Sequence, residues 1–400
     1  MTSSQPTVPA VDFDFPGDDD PRRQAVRDWI AANPDPTGRQ LAEAGYVAPH
    51  WPAPWGLDAD PIHQILIDEE LKAAGIKRPT NTIGIGWAGP TIVHAGTQEQ
   101  KDRYLFPLLA GEEIWCQLFS EPGAGSDLAS LGTRAVRDGD EWVVNGQKVW
   151  TSGAQSSKFG ILIARTDPDA PKHAGVTYFL CPMDTPGITI NPLREMTGVA
   201  VFNEVFFDDV RIPDSLRVGE VNNGWGLAKV TLGNERVSLS SGGLLWGLGP
   251  TSWDLFDDIV AAAGEEEILE EPVVRDRIAQ LWIEAKVLDL IRLRTVSAKV
   301  RGEQPGPEAS IRKVMADEHG QAIMELAKDL AGAHGMLEHV GPFQRADLRG
   351  WHFGYLFARA LTIGGGTGEV QRNILGERVL GLPHDVDVEA GKTWAEARRG

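Results

Sequence analysis

The sequence predicts a mainly α-helical protein with a central β domain, and three observations carry that prediction. Apolar residues recur at helical spacing up to about residue 110; between about 111 and 225 the period changes to short β-rich segments broken by Gly, Pro and Asp; long helical stripes then return. A chain of 400 residues also exceeds what one hydrophobic core usually supports, so separate domains are expected. The division read from these changes is an acidic, disordered lead at 1–20, an N-terminal helical domain at 21–110, a β domain at 111–225 and a C-terminal helical bundle at 226–400.

After the lead, PRRQAVRDWIAAN reads as a helix, whereas the Pro/Trp-rich APHWPAPWGLDADP cannot be regular helix because proline lacks the amide donor. PIHQILIDEELKAAG places Ile62, Ile65, Leu66 and Glu69 at helical spacing, and TQEQKDRYLFPLLAGEE opens with Thr97 and Gln100, the residue types and spacing of a capping box. The segments IWCQLFS, EWVVNGQKVW, FGILIAR, GVTYFLCP, GITINPL and VFNEVFFDDVRI alternate between turn residues, which predicts a small antiparallel barrel or sandwich. Beyond them, Ile278, Leu281, Trp282, Ala285, Leu288 and Ile291 form one helical stripe over 275–300. The stretch 307–332 repeats the design, with Pro307 near its start.

Composition narrows the function classes. A formal net charge of −19, with no long Lys/Arg cluster, argues against a nucleic-acid partner, because phosphate binding needs a basic face. No apolar run reaches the roughly 18 residues needed to cross a bilayer, and the acidic N-terminus lacks the basic and apolar regions of a signal peptide. Cys116 and Cys181 are too few for a disulfide framework and too far apart for a CxxC pair, so a reducing, cytoplasmic setting is expected. The 13 Trp supply aromatic anchors for a pocket as well as a core.

Several motifs are set aside. GIGWAG, with Gly84, Gly86 and Gly89, satisfies the dinucleotide fingerprint formally, but KRPTNT rather than a strand precedes it and no βαβ unit frames it. His334, Glu338 and His339 lack the spacing that puts two imidazoles on one helix face, so no metal site is implied. No GxSxG elbow is present to start a hydrolase triad.

Two stretches carry more. CQLFSEPGAGSDLASL, at 116–131, offers small residues, hydroxyls and exposed backbone N–H groups suited to the edge of a planar heterocycle and an anion, although alone it also reads as a turn. GQKVWTSGAQ, at 146–155, sets Trp150 two residues before Ser152, an aromatic plane beside a short donor; a core tryptophan next to a turn serine would look the same.

The ordered set SEPGAGSD, KVWTSGA, ERVSL and GGGTGEVQRN, within a helix/β/helix chain, resembles the acyl-CoA dehydrogenase family over about residues 20 to 383. The resemblance implies an N-terminal helical domain, a β barrel or sandwich and a C-terminal four-helix bundle. It also implies FAD held between the β domain and the C-terminal helices. By analogy, the backbone of Gln117 and Phe119 and the hydroxyl of Ser120 hold the flavin's pyrimidine edge, Trp150 stacks on the isoalloxazine with Thr151 beside it, and Ser152 faces N5. Ser126 falls where flavin phosphate and the acyl-CoA chain approach each other, and Thr367 and Glu369, at a helix start, fall at the adenosine half of FAD.

The family's chemistry takes a proton α to a thioester carbonyl and passes a hydride from the β carbon to flavin N5, giving a trans-2-enoyl-CoA. Such a proton is a poor acid, so a desolvated carboxylate and donors on the carbonyl oxygen are needed. Many members place a glutamate immediately before the Gly-Thr of the glycine loop, where this chain has Gly365. Members resembling the isovaleryl-CoA and long-chain dehydrogenases place the base one residue before an arginine on a C-terminal helix, which Glu235 and Arg236 match. The resemblance therefore assigns Glu235 as base, Arg236 to the substrate side, and Gly365 and Gly366 to the thioester oxygen and the turn. A glutamate ion-paired near a helix N-terminus is the plainer reading of Glu235.

Two departures accompany the match. The family's R-x-x-F-G stretch, which reaches a neighbouring subunit's FAD, is replaced by EEPVVRDRIAQLW, and Asp329 and Ala333 stand where Gln and Gly are usual. A homotetramer, as a dimer of dimers, and an electron-transfer flavoprotein as acceptor are expected. The alternatives are a half-competent or non-catalytic subunit that pairs with a related chain, and an oxidase or monooxygenase on the same scaffold. Gly242, Gly243, Gly247 and Gly249, with Trp246, are candidate acyl-pocket residues.

Overall fold

The computed structural model describes residues 16–240, 259–261, 263, 268–300, 306–307, 309–336 and 350–398. The N-terminal part comprises α1 (Pro21–Ala32), α2 (Gly38–Glu43), α3 (Pro61–Ala73), α4 (Gly89–Ala95) and α5 (Gln98–Leu109). The capping box at the start of α5 forms as the sequence predicts: Thr97 Oγ1 accepts from Gln100 N, and the Gln100 side chain returns a bond to the Thr97 backbone. GIGWAG makes a π-helical turn, Gly84–Ala88, leading into α4, with no strand ahead of it. Its glycines answer to packing: a Cβ on Gly89 would lie 2.1 Å from the Trp51 ring, and one on Gly84 would lie 2.4 Å from the Asn81 amide.

The strands are β1 (Trp115–Leu118), β2 (Arg134–Asp138), β3 (Glu141–Lys148), β4 (Phe159–Arg165), β5 (Val176–Pro182), β6 (Ile188–Pro192), β7 (Asn203–Pro213) and β8 (Arg217–Val218). They form one sheet in the order β6-β7-β3-β2-β4-β5-β8, with β1 joined to β4 off that path. Most pairings are antiparallel, as predicted, but β1 and β2 both join β4 in parallel. Strand β2, RAVRD, buries only Ala135, and the two-residue β8 is too short to alternate; neither is among the predicted strands.

The C-terminal part holds α6 (Gly224–Ser240), α7 (Pro272–Val300), α8 (Ala309–Leu330), α9 (Gly350–Phe357), α10 (Gly368–Ile374) and α11 (Trp394–Ala397). Helix α8 packs against α6, α7, α9 and α10. Of the predicted α7 stripe, Ile278, Leu281 and Leu288 are buried, but Trp282 is exposed. One residue of helix turns a side chain by about 100°, which carries Trp282 off the face that Leu281 buries.

Two cores flank the sheet. One joins the N-terminal helices to Trp115, Phe119, Ile161, Ile163 and Tyr178 on one sheet face and to Leu227 and Ala228 of α6. The other fills the opposite face with Cys116, Leu118, Leu162, Phe179 and Val205. Among the described residues no helix is long and apolar enough to cross a membrane, and no group of three His, Cys, Asp or Glu could hold a metal ion.

Candidate active site

Strand alternation decides what β1 presents to α6. Trp115 and Phe119 belong to the core that α6 covers, so Gln117, midway between them on the same pleat, faces that helix too. On α6, Leu227, Thr231 and Glu235 recur at intervals of four and are all buried. Across the two faces, Gln117 Nε2 donates to Glu235 Oε2 at 3.1 Å. Glu235 is thus 7% exposed, on a helix anchored one turn earlier by Thr231, whose hydroxyl bonds Tyr178 at 3.1 Å and Thr91 at 2.8 Å. Burial pushes the Tyr178 hydroxyl far above its ordinary pKa, so it stays neutral. Arg236 follows on α6; its side chain, like Gly242, Gly243, Trp246, Gly247 and Gly249, lies outside the described residues.

The SEPGAGSD loop is held by a buried ion pair. Lys148 Nζ reaches Glu121 Oε1 at 2.8 Å and Phe119 O at 2.9 Å, while Glu121 also accepts from the backbone N–H of Gly132 and Thr133. Burial alone would raise the Glu121 pKa; the Lys148 charge and these bonds outweigh it and hold the carboxyl below the ordinary range. Since Val149 N also donates to Ser120 O at 2.9 Å, the loops at 116–131 and 146–155 form one unit. Within it Phe119 is buried, Ser120 half-buried and Ser126 exposed at the loop tip.

The far side of this loop is strapped by the end of the chain. Trp394 Nε1 donates to Ser130 O at 3.3 Å, and the guanidinium groups of Arg165 and Arg398 lie over its ring at 5.2 and 5.1 Å. Arg165, drawn down by burial to a pKa of about 10, donates to Ala129 O at 2.6 Å and Ala174 O at 2.7 Å. Lys172 joins Asp127 at 3.1 Å to Glu389 at 2.6 Å.

Trp150 sits at φ +59°, 61% exposed, with its ring edge-on to Phe202 at 5.9 Å. A large aromatic side chain this exposed, in left-handed backbone, is an outlier among the described residues. Thr151 beside it is fully buried, its backbone paired with Asn203 and its Oγ1 without a hydrogen-bond partner. Ser152 is half-buried.

In the glycine loop Gly365 and Gly366 both adopt left-handed backbone, φ +69° and +90°. Gln371, 1% exposed, donates from Nε2 to Gly365 O at 3.2 Å and leaves Oε1 buried and unpartnered. Thr367 caps α10 by accepting from Val370 N at 3.2 Å, and Glu369 stands in its first turn, its carboxyl held below the ordinary range by backbone N–H and the Thr367 hydroxyl. Helix α8 supports the approach to the loop: Lys313 Nζ donates to Leu361 O at 2.8 Å, and Gln321 Nε2 to Ala358 O at 3.0 Å. The two departures from the family pattern meet, since Arg277 pairs with Asp329 at 2.9 Å on an exposed surface. No described hydrogen bond joins the Gly365–Glu369 segment to Ser126, Trp150 or Ser152.

Sequence reading missed Glu121, Lys148, Gln371 and the side chain of Gln117. The detectable signal for Lys148 is its place in an alternating strand, on the parity of the buried Trp142 and Val144.

Comparison with known proteins places all three regions of the chain. Residues 20–112 match the N-terminal domain model of acyl-CoA dehydrogenases, residues 116–210 the middle domain and residues 222–380 the C-terminal domain. The chain is 45% identical to acyl-CoA dehydrogenase FadE34 of Mycobacterium tuberculosis, over 86% of its own length and 45% of that protein. It therefore spans under half the length of that relative. It is 39% identical to acyl-CoA dehydrogenase IpdE1 of the same organism, over 87% of each chain. Among solved structures, it resembles a chain of the ChsE4-ChsE5 complex from M. tuberculosis with a TM-score of 0.74 and 32% identity, covering 93% of this chain and all of that one.

Proposed function

The chain belongs to the acyl-CoA dehydrogenase family, and on that premise we propose that it dehydrogenates an acyl-CoA thioester to the trans-2-enoyl-CoA with Glu235 as base. The observation that carries this reading is the Gln117–Glu235 contact, which sets a buried carboxylate against the strand leading into the SEPGAGSD loop.

The family uses FAD, and the residues present fit it: an exposed indole at Trp150, an unpartnered buried hydroxyl at Thr151 and an unpartnered amide oxygen at Gln371. Gln117 and Phe119 through their backbone, with Ser120, Ser126, Trp150, Thr151, Ser152, Thr367 and Glu369, would hold it. When bound, FAD supplies the acceptor for the two electrons that leave the β carbon as hydride. The protein's own part is the proton. Glu235, shielded from water on the inner face of α6, takes it from the α carbon as the C=C bond forms. The charge that develops on the thioester oxygen needs fixed donors, a task assigned to the backbone N–H of Gly365 with Gly366 shaping the turn. Arg236 is placed on the acyl-CoA side.

An electron-transfer flavoprotein is the proposed acceptor from reduced enzyme, and two free, buried cysteines support a reducing cytoplasm. A dimer of dimers is the proposed assembly. The resemblance to a chain of a two-protein complex supports a second assembly, in which a related chain replaces one copy. Anaerobic mixing with a panel of acyl-CoAs tests the activity: the flavin absorbance bleaches with at least one. A flavin-loaded protein that no acyl-CoA bleaches would refute it, and bleaching only after a second chain is added would select the mixed assembly.

A further inference from the structure

We infer that Gln117 acts through its side chain as the positioning residue for the base, an inference that rests on the reading of Glu235 above. Gln117 lies on a strand registered residue for residue against β4, opposite Ile161, and its pleat face is otherwise apolar: Trp115 and Phe119 on either side, Ile161 and Ile163 across. A half-buried primary amide among these apolar side chains has few protein groups to bond. The partner it has is the carboxylate of Glu235, 118 residues away in sequence, at 3.1 Å.

The chemistry of the pair suits a base. A hydrogen bond to Oε2 fixes the plane of the carboxylate, so the geometry of proton removal is set before substrate arrives. A neutral donor does this without a full positive charge. Lysine or arginine at 117 would pull the carboxyl pKa down by about 1–3 units and weaken the base, and glutamate at 117 would force two carboxylates to share a proton. An amide on a rigid strand orients the carboxylate and itself adds no charge beside it. The strand also carries the hold to the cofactor side, since Phe119 and Ser120 follow directly and are tied to Lys148 and Val149.

The test uses flavin-loaded enzyme, an acyl-CoA that it oxidises and the same acyl-CoA deuterated at the α carbon. Gln117→Leu is expected to slow flavin reduction about tenfold, as for losing a hydrogen bond to a charged group, with KM and flavin content unchanged. Its α-deuterium isotope effect rises, because proton removal becomes more limiting. Gln117→Glu falls further still. Gln117→Met repeats the Leu result where Leu disturbs folding. Wild-type rates in Gln117→Leu and Gln117→Met would overturn the inference, as would a slowed reaction with an unchanged isotope effect, which would mark a merely structural role. Glu235→Gln, measured alongside, separates the two levels. If it abolishes bleaching, the base assignment stands whatever Gln117 does; if it bleaches normally, the base assignment fails and the positioning role falls with it.

Discussion

Replacing Lys148 with methionine tests whether the buried ion pair builds the loop that the cofactor is proposed to occupy. Lys148 is fully buried, and its ammonium has two partners, Glu121 Oε1 at 2.8 Å and Phe119 O at 2.9 Å. Methionine nearly fills the volume, so the cost is electrostatic. Breaking a buried pair typically costs about 3–5 kcal/mol because an uncompensated charge stays behind. Glu121 keeps the N–H groups of Gly132 and Thr133, which places the charge penalty near the low end, about 3 kcal/mol, and the carbonyl of Phe119 adds about 1 kcal/mol for its lost donor. Urea unfolding read by tryptophan fluorescence measures the sum, and hydrogen exchange at the Gly132 and Thr133 amides reads the local part. The double variant Glu121→Gln, Lys148→Met removes both charges and is expected to lose less than the sum of the singles. A Lys148→Met protein within about 1 kcal/mol of its parent, where a broken buried pair calls for several, or a double variant that is strictly additive, would refute the reasoning.

The remaining expectations concern neighbouring parts of the site. Thr151→Val removes a buried hydroxyl that has no hydrogen-bond partner among the described residues; unfolding stability should hold or rise slightly, while FAD affinity falls about fivefold, as for one neutral hydrogen bond, measured by fluorescence titration. Gly366→Ala introduces a Cβ 2.6 Å from the Gln371 amide at φ +90°, so a loss of about 1–3 kcal/mol is expected in thermal melts, with the Gln371–Gly365 bond broken. Glu121 has its folded pKa depressed, so its contribution to stability is present at neutral pH. As pH drops below about 4.3 the unfolded glutamate takes a proton first, and stability falls as pH passes through the folded value. Glu121→Gln should flatten that acid limb of the stability curve.

Much of the architecture was legible because it depends on local rules. The period change near residue 111, the capping box at Thr97 and the lengths of α7 and α8 come from neighbours in sequence, and all appear in the structure. The parallel attachment of β1 to β4 joins segments about forty residues apart, and alternation carries no information about strand direction. The short or charged strands β2 and β8 give too few alternating positions to register. In the site, the proposed residues that a motif carries, Trp150, Thr151, Thr367 and Glu235, could be named from the sequence because an ordered set of short stretches contains them. Residues that act through tertiary pairing could not. Lys148 and Glu121 need each other, as do Gln117 and Glu235, and neither member of a pair signals its partner until the sheet and α6 bring them together.

The assignment of the base is tested most directly by single-turnover reduction of the flavin in Glu235→Gln with an acyl-CoA that the parent oxidises. The amide keeps the shape of the side chain and removes its ability to take a proton. The expected result is a variant that binds FAD and acyl-CoA as the parent does while its flavin stays oxidised. Bleaching at the parent's rate would show that the α proton leaves by another route, and that the carboxylate beside Gln117 has no part in the reaction.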